Sequence, residues 1–325
     1  MVKASSIIQS NARFARQNIQ GVVCVFAGAT SGIGARALER MLGMFSSGNF
    51  YVLGRSPARF EVQRKTLESF ANPACKIIFV EADVSLISDI DSASHFISAA
   101  EQKVDYLCMS MGGIPMNGAE NTKEGLESCF TLSYYSRMRL LSNMLPLLRR
   151  SQNPRVLSVL NGGKEKYINE QDIGLNRHWS LMNVIKHTTL LNSLAFDYLA
   201  VQNEQITFIH NFPSLVKSDN FRRINPPAGS SLLRKAWLSF VKGLVAVIRY
   251  FVGMTPEEAG ERQAYHLTSP TYGPGSLRVT NNSETVPASK ALKHYQDNNW
   301  PTKVWEFTMG VWEKALATDT GGSTK

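Results

Sequence analysis

The chain has 325 residues, 43% of them hydrophobic and 19% charged, with Lys and Arg 35 against Asp and Glu 26 for a net charge of +9. That composition excludes a disordered or fibrous chain and supplies the core of one α/β domain with extensions. The positive balance favours an anionic partner, a phosphorylated cofactor or a membrane surface, while scattered basic residues without a basic run argue against nucleic acid.

Residues 1–20 carry Lys3, Arg13 and Arg16 and no acid precedes Glu39. This acid-poor start has some mitochondrial-presequence character but lacks the uninterrupted apolar core of a secretory signal. The preferred reading is a helical extension packed beside the first strand. Cys24, Cys75, Cys108 and Cys129 are widely spaced with no CxxC or Cys/His pattern. They read as reduced thiols of a cytoplasmic protein, with no zinc site and no disulfide framework. The sequon at Asn281 then goes unused.

Short apolar runs alternate with amphipathic stretches over the first two-thirds, the pattern of repeated βαβ units. Strands are predicted at Val22–Ala27, Phe50–Leu53, Lys76–Ala82, Tyr106–Met111, Arg155–Leu160 and Ile206–Asn211. Helices are predicted between them, including Gly32–Phe45, Ser88–Gln102, Glu124–Arg149 and Leu181–Val201. Burial on both faces of a parallel sheet explains the continuous apolar strands. After Pro213 the alternation stops. An apolar stretch, Leu232–Gly253, carries Lys235, Lys242 and Arg249 every seven residues, on one face of a helix. Its uncharged runs are too short to span a bilayer, which leaves interfacial membrane docking as the second reading; the first, a greasy substrate lid (about 214–253), is what the family resemblance given below implies. Thr255-Pro256-Glu257-Glu258 is a helix start, and Pro301–Ala317 reads as a final helix.

The first strand runs into Gly28-Ala29-Thr30-Ser31-Gly32-Ile33-Gly34 and then a helical pattern. Glycines in that place permit a tight turn, close approach of backbone to a pyrophosphate, and close helix–strand contact. The free N–H groups of the helix start attract the anion. Arg55 ends the second strand where an acid would bind adenosine ribose hydroxyls; a cation there can pair a 2′-phosphate, so NADP(H) is the expected cofactor.

These residues resemble the short-chain dehydrogenase/reductase family, and the likeness runs to about Gly260. Ala82-Asp83-Val84 is similar to the family's adenine-contacting segment. Met109-Ser110-Met111-Gly112-Gly113 stands where the family has Asn-Asn-Ala-Gly. Asn211-Phe212-Pro213-Ser214-Leu215-Val216 is similar to the segment that contacts the nicotinamide carboxamide, which places Val216 at the cofactor. The resemblance thus assigns Gly28, Ser31, Gly32, Ile33, Gly34, Arg55, Asp83, Ser110, Lys186 and Val216 to cofactor binding.

The family's catalytic Asn, Ser, Tyr and Lys align with Ser133, Asn161, Met182 and Lys186. The lysine is kept and the tyrosine is replaced. Substitute donors are Ser133, Tyr134, Lys164, Tyr167 and His178; Tyr134 follows the displaced asparagine, so its hydroxyl either reaches into the cleft or, as an equal alternative, its ring packs between helix and sheet. The run Tyr134-Tyr135-Ser136-Arg137 with Asn161-Gly162-Gly163-Lys164-Glu165 resembles a divergent branch among fungal secondary-metabolism enzymes.

The resulting expectation is a doubly wound parallel α/β sheet (a Rossmann fold) with a C-terminal helical extension. It divides into an N-terminal extension (1–20), an NADP-binding domain with its lid (21–270) and a C-terminal extension (271–325). The expected activity is NADP(H)-dependent oxidoreduction of a small hydrophobic carbonyl, alcohol or imine. The expected catalytic residues are Lys186, Tyr134, Ser133 and Asn161. The alternative is a non-redox cyclase or isomerase, or a cofactor-sensing protein, built on the same pocket.

Overall fold

The computed structural model describes residues 2–112, 118–213, 216 and 254–320. The lid and the amphipathic stretch at 232–253, and Gly113 of the fourth-strand motif, lie outside the described residues.

Strand β1 (Val22–Ala27) is buried at all six positions and leads through the glycine turn into α2 (Gly32–Leu42). Two further βα units follow: β2 (Gly48–Gly54) with α3 (Pro57–Glu68), and β3 (Cys75–Glu81) with α4 (Ile87–Ala100). Next come β4 (Tyr106–Met109), β5 (Arg155–Val159), α7 (Leu181–Gln202) and β6 (Thr207–Asn211). The described residues form one eight-stranded sheet in the order β3-β2-β1-β4-β5-β6-β7-β8. The chain reverses direction across the sheet between β1 and β4, so a crevice opens at the carboxyl ends of those two strands. Apolar clusters cover both faces, one under α4 and α7, the other under α2 and the helix of Thr255-Pro256.

The single helix expected over Glu124–Arg149 is divided. A short α5 (Ser128–Phe130) passes into a π turn at Thr131–Tyr135 and then into α6 (Ser136–Leu148). Propensity and periodicity do not encode such a turn; it depends on partners from other elements for the carbonyls it frees.

The predicted helix start at Thr255 opens α8 (Pro256–Thr268), with the Thr255 hydroxyl accepting from Glu258 N at 3.1 Å. Helix α1 (Ala4–Ala15) docks on α8 rather than directly on β1. Asn11 Nδ2 reaches Glu261 Oε2 at 2.6 Å, and Phe14 meets Phe45 edge-on. Beyond α8 the chain adds strands as well as helices. Strand β7 (Gly275–Val279) pairs parallel to β6, and β8 (Thr285–Val286) pairs antiparallel to β7. The half-polar run Gly-Ser-Leu-Arg-Val hides this strand from an apolar-run reading, because Arg278 is satisfied by Asp197 of α7 at 2.8 Å. Helices α9 (Lys290–Asp297) and α10 (Trp300–Thr320) complete the chain, with Trp305 and Trp312 buried in the core.

Candidate active site

The glycine turn is built for close approach. Gly28 has φ +85°, and a Cβ there would fall 2.3 Å from Met111 N. A methyl on Gly34 would lie 2.1 Å from Ser110 Oγ. Ser110 therefore packs on the turn from β4, and its hydroxyl donates to Gly28 O at 3.1 Å. Gly32 and Ile33 open α2, while its N-cap Ser31 makes no side-chain bond to the helix. The first N–H groups of α2 are left without a side-chain cap, and this is the donor set a pyrophosphate needs.

Arg55 is exposed immediately after Gly54 and has no side-chain partner among the described residues. Asp83 sits beyond β3, where its Oδ1 accepts from Ser85 N at 3.0 Å and Ser85 Oγ at 2.7 Å. Val216 is buried and bridges Met254.

Lys186, on the first turns of α7, lines a shallow, wide-open cavity of about 470 Å³ with Glu165, Lys166, Tyr167, Ser289 and Lys290. Met182, one turn earlier, is 58% exposed. Asn161 follows β5, half-buried, and its backbone N–H donates to His210 Nε2 at 3.3 Å. That contact places the His210 proton on Nδ1, which donates to Ser193 Oγ at 2.8 Å. Ser193 in turn donates to Glu165 Oε1 at 2.6 Å, and Gly163 N reaches the same oxygen at 2.9 Å. The loop carrying Asn161 and Lys164 is thus anchored from α7 and β6. Burial, helped by the charges of Arg137 and Arg278, pushes His210 down to about 3, so the ring is neutral. Residues 161, 165, 193 and 210 meet only through the fold, and sequence reasoning missed the last two.

Ser133 is buried on the π turn, where its carbonyl accepts from Asn192 Nδ2 at 2.9 Å. Tyr134 does not reach the cleft. Its ring is fully buried under α10, its hydroxyl bonds Thr308 Oγ1 at 2.7 Å, and burial holds the phenol above its ordinary range. The π turn rotates residue 134 into the core, a displacement that an unbroken helix would not produce. Tyr167 is the phenol that shares the Lys186 cavity, with its ring edge-on to His294. Lys164 lies over the Phe212 ring at 5.2 Å. His178 pairs with Asp172 Oδ2 at 3.0 Å, and His187 bridges Ile173 O and Asn169 N; both pin the β5–α7 loop. Among the described residues no cluster of His, Cys, Asp and Glu could hold a metal ion, and no helix is long and apolar enough to cross a membrane.

A glycine turn at the switch point of a doubly wound sheet, with a lysine-bearing helix after β5, defines a Rossmann-type α/β protein. No family model matches the chain. Oxidoreductase AN1596 of Emericella nidulans is 31% identical, and the match covers 97% of this chain and 99% of that protein. Short-chain dehydrogenase/reductase SAT2 of Stachybotrys chartarum is 28% identical over 83% of this chain and 79% of its own. Among solved structures, the NADPH-bound carbonyl reductase from chicken fatty liver has the same fold. Its TM-score is 0.55 at 14% identity, covering 83% of this chain and all of that one (100%). The chain belongs to the short-chain dehydrogenase/reductase family and is an oxidoreductase of that type.

Proposed function

We propose that this oxidoreductase uses NADP(H) to reduce a small hydrophobic carbonyl or imine in the cytoplasm, as a tailoring step in secondary metabolism. The observation that carries the cofactor choice is Arg55, exposed and unpartnered among the described residues at the end of β2, where the adenosine ribose of a dinucleotide falls. The uncapped start of α2 and the Ser110-locked glycine turn fit the pyrophosphate. The fungal source of the relatives supports the metabolic setting.

When bound, the nicotinamide supplies hydride to the electrophilic carbon of the substrate. Lys186 holds the neighbouring ribose. Asn161, on a loop fixed by His210 and Glu165, orients the substrate oxygen or nitrogen. Tyr167, in the same cavity as Lys186, gives that atom its proton. Asp83 and Val216 would hold the adenine and carboxamide ends, and the Ser133 carbonyl, through Asn192, ties the π turn to α7. A cyclic iminium carbon is already electrophilic, so its reduction depends on Tyr167 far less than that of a ketone.

Calorimetric titration tests the cofactor reading. NADPH should bind at least about tenfold more tightly than NADH, and Arg55→Asp should invert the order by removing the cation and repelling the 2′-phosphate. Equal affinities for NADPH and NADH in the unmodified protein would contradict it.

A further inference from the structure

Arg137 lies on α6 beneath the carboxyl ends of β4 and β5, 1% exposed. Its Nε donates to Leu132 O at 3.1 Å. Its Nη1 donates to Met109 O at 3.2 Å, Ser158 Oγ at 2.8 Å and Val159 O at 3.0 Å, and Nη2 donates to Met111 O. Every acceptor is an uncharged carbonyl or hydroxyl. The groups that act on its charge are the thiols Cys108 and Cys129, and among the described residues no carboxylate hydrogen-bonds to it or pairs with it. Burial lowers Arg137 to about 9, so it remains a cation at neutral pH. Buried charges are ordinarily paired, and an unpaired one carries a large desolvation cost. The carbonyls of β4 and β5 hold this guanidinium but do not neutralise it.

Its field is felt above. Arg137 is one of the two cations that help hold down His210, the residue on which Asn161 rests. A methyl on Gly112, just past the carboxyl end of β4, would lie 3.9 Å from Nη2, so the charge sits close to the strand end that borders the crevice. In a sheet of this order the β1–β3 half takes one mononucleotide of a dinucleotide and the β4–β6 half takes the other. The glycine turn and Arg55 belong to the adenosine half, which leaves the nicotinamide over β4 and β5. That ring is the part of the cofactor whose charge differs between the two redox forms: neutral when reduced, cationic when oxidised.

We propose that Arg137 is a positioning residue that sets the redox preference of the site, its positive charge, unpaired among the described residues, favouring the neutral reduced nicotinamide over the cationic oxidised one. The effect biases the protein toward holding NADPH and releasing NADP+. Arg55 and the α2 dipole act on phosphates common to both forms and cancel from the comparison. The inference rests on the nicotinamide reading given under Proposed function. Two unit charges at close range within a protein interior shift a ratio of affinities by about tenfold or more.

The test is a pair of titrations on the full chain, NADPH and NADP+, read as the ratio of their dissociation constants. The unmodified protein should bind NADPH at least about tenfold more tightly. Arg137→Met should lower that ratio by about tenfold. Ser158→Ala disturbs the same network yet keeps the charge, so its ratio should stay at the unmodified value. If Arg137→Met does not fold, Arg137→Gln removes the charge while keeping donors and Arg137→Lys keeps a cation; the ratio should fall in the first and hold in the second. Equal affinities for the two forms in the unmodified protein would overturn the proposal. So would an Arg137→Met protein in which both affinities fall together, or a Ser158→Ala protein whose ratio moves as far as that of Arg137→Met. Failure to bind either form would overturn the cofactor reading itself, a different result from binding both forms equally.

Discussion

Tyr134 and Tyr167 divide between them two jobs a tyrosine can do. The Tyr134 hydroxyl bonds Thr308, which itself donates to Val304 O at 2.7 Å, so the phenol ties the π turn to α10. Tyr134→Phe should cost about 1 kcal/mol of stability, read from the denaturation midpoint, and leave turnover within about twofold. Tyr167→Phe should do the reverse: unchanged stability and NADPH affinity, with ketone reduction lowered about 10²–10⁴-fold, the usual contribution of a positioned proton donor. Loss of turnover in Tyr134→Phe with full activity in Tyr167→Phe would exchange the two assignments. The glycine turn and the place of Arg55 directly after β2 are legible in the sequence because each lies at a fixed position beside a buried strand. Tyr134 was misread because the neighbourhood of a residue one step past a marker depends on the helix being regular, and here it is not. The Glu165–Ser193–His210 chain has no local signature, since its members are brought together by β5, α7 and β6.

Elements show the same division. The strands β1, β4, β5 and β6 are buried on both faces and read as apolar runs, so their positions were predicted to within a few residues. Strand β7 is only half-buried and carries Arg278, which pairs with Asp197 in a half-buried ion pair, so polarity masks it. The π turn was invisible for a related reason: Asn192 and Arg137 satisfy the carbonyls of Ser133 and Leu132 from a distance in the chain or from a side chain that looks like any helical arginine. Helix α7 itself makes a prediction. Met182 and Lys186 are one turn apart and Met182 is exposed, so Met182→Tyr adds a phenol beside the lysine cation, which favours the phenolate. In a Tyr167→Phe background this substitution should restore ketone reduction by at least about tenfold, with a pH profile the single variant lacks. No recovery would mean that the start of α7 does not face the substrate.

At the scale of the whole molecule, one sheet with helices on both faces joins the N-terminal helix, the βα units and the C-terminal strands into a common core. That core encloses two neutral histidines. Burial, with the charges of Arg137 and Arg278, holds His210 at about 3; burial, with Arg262, does the same for His266. Their unfolded counterparts titrate at 6.5, so as pH falls the unfolded chain takes up protons first. Stability is therefore full above about 6.5 and declines between about 6.5 and 3, by up to about 1.4 kcal/mol per pH unit for each histidine. Urea midpoints measured down this range should fall, and His266→Gln should flatten the slope; a midpoint independent of pH would contradict the burial of both rings.

On the function proposed above, this core carries a reductase site supplied by NADPH. Rapid mixing of the preformed protein–NADPH complex with a panel of hydrophobic ketones and cyclic imines, followed by the absorbance of the reduced nicotinamide, addresses it directly. That absorbance should be lost stoichiometrically with at least one member of the panel, fastest for imines and slowed by Tyr167→Phe for ketones. A complex that binds NADPH yet keeps it fully reduced across the whole panel would contradict the account and leave a non-redox use of the pocket in its place.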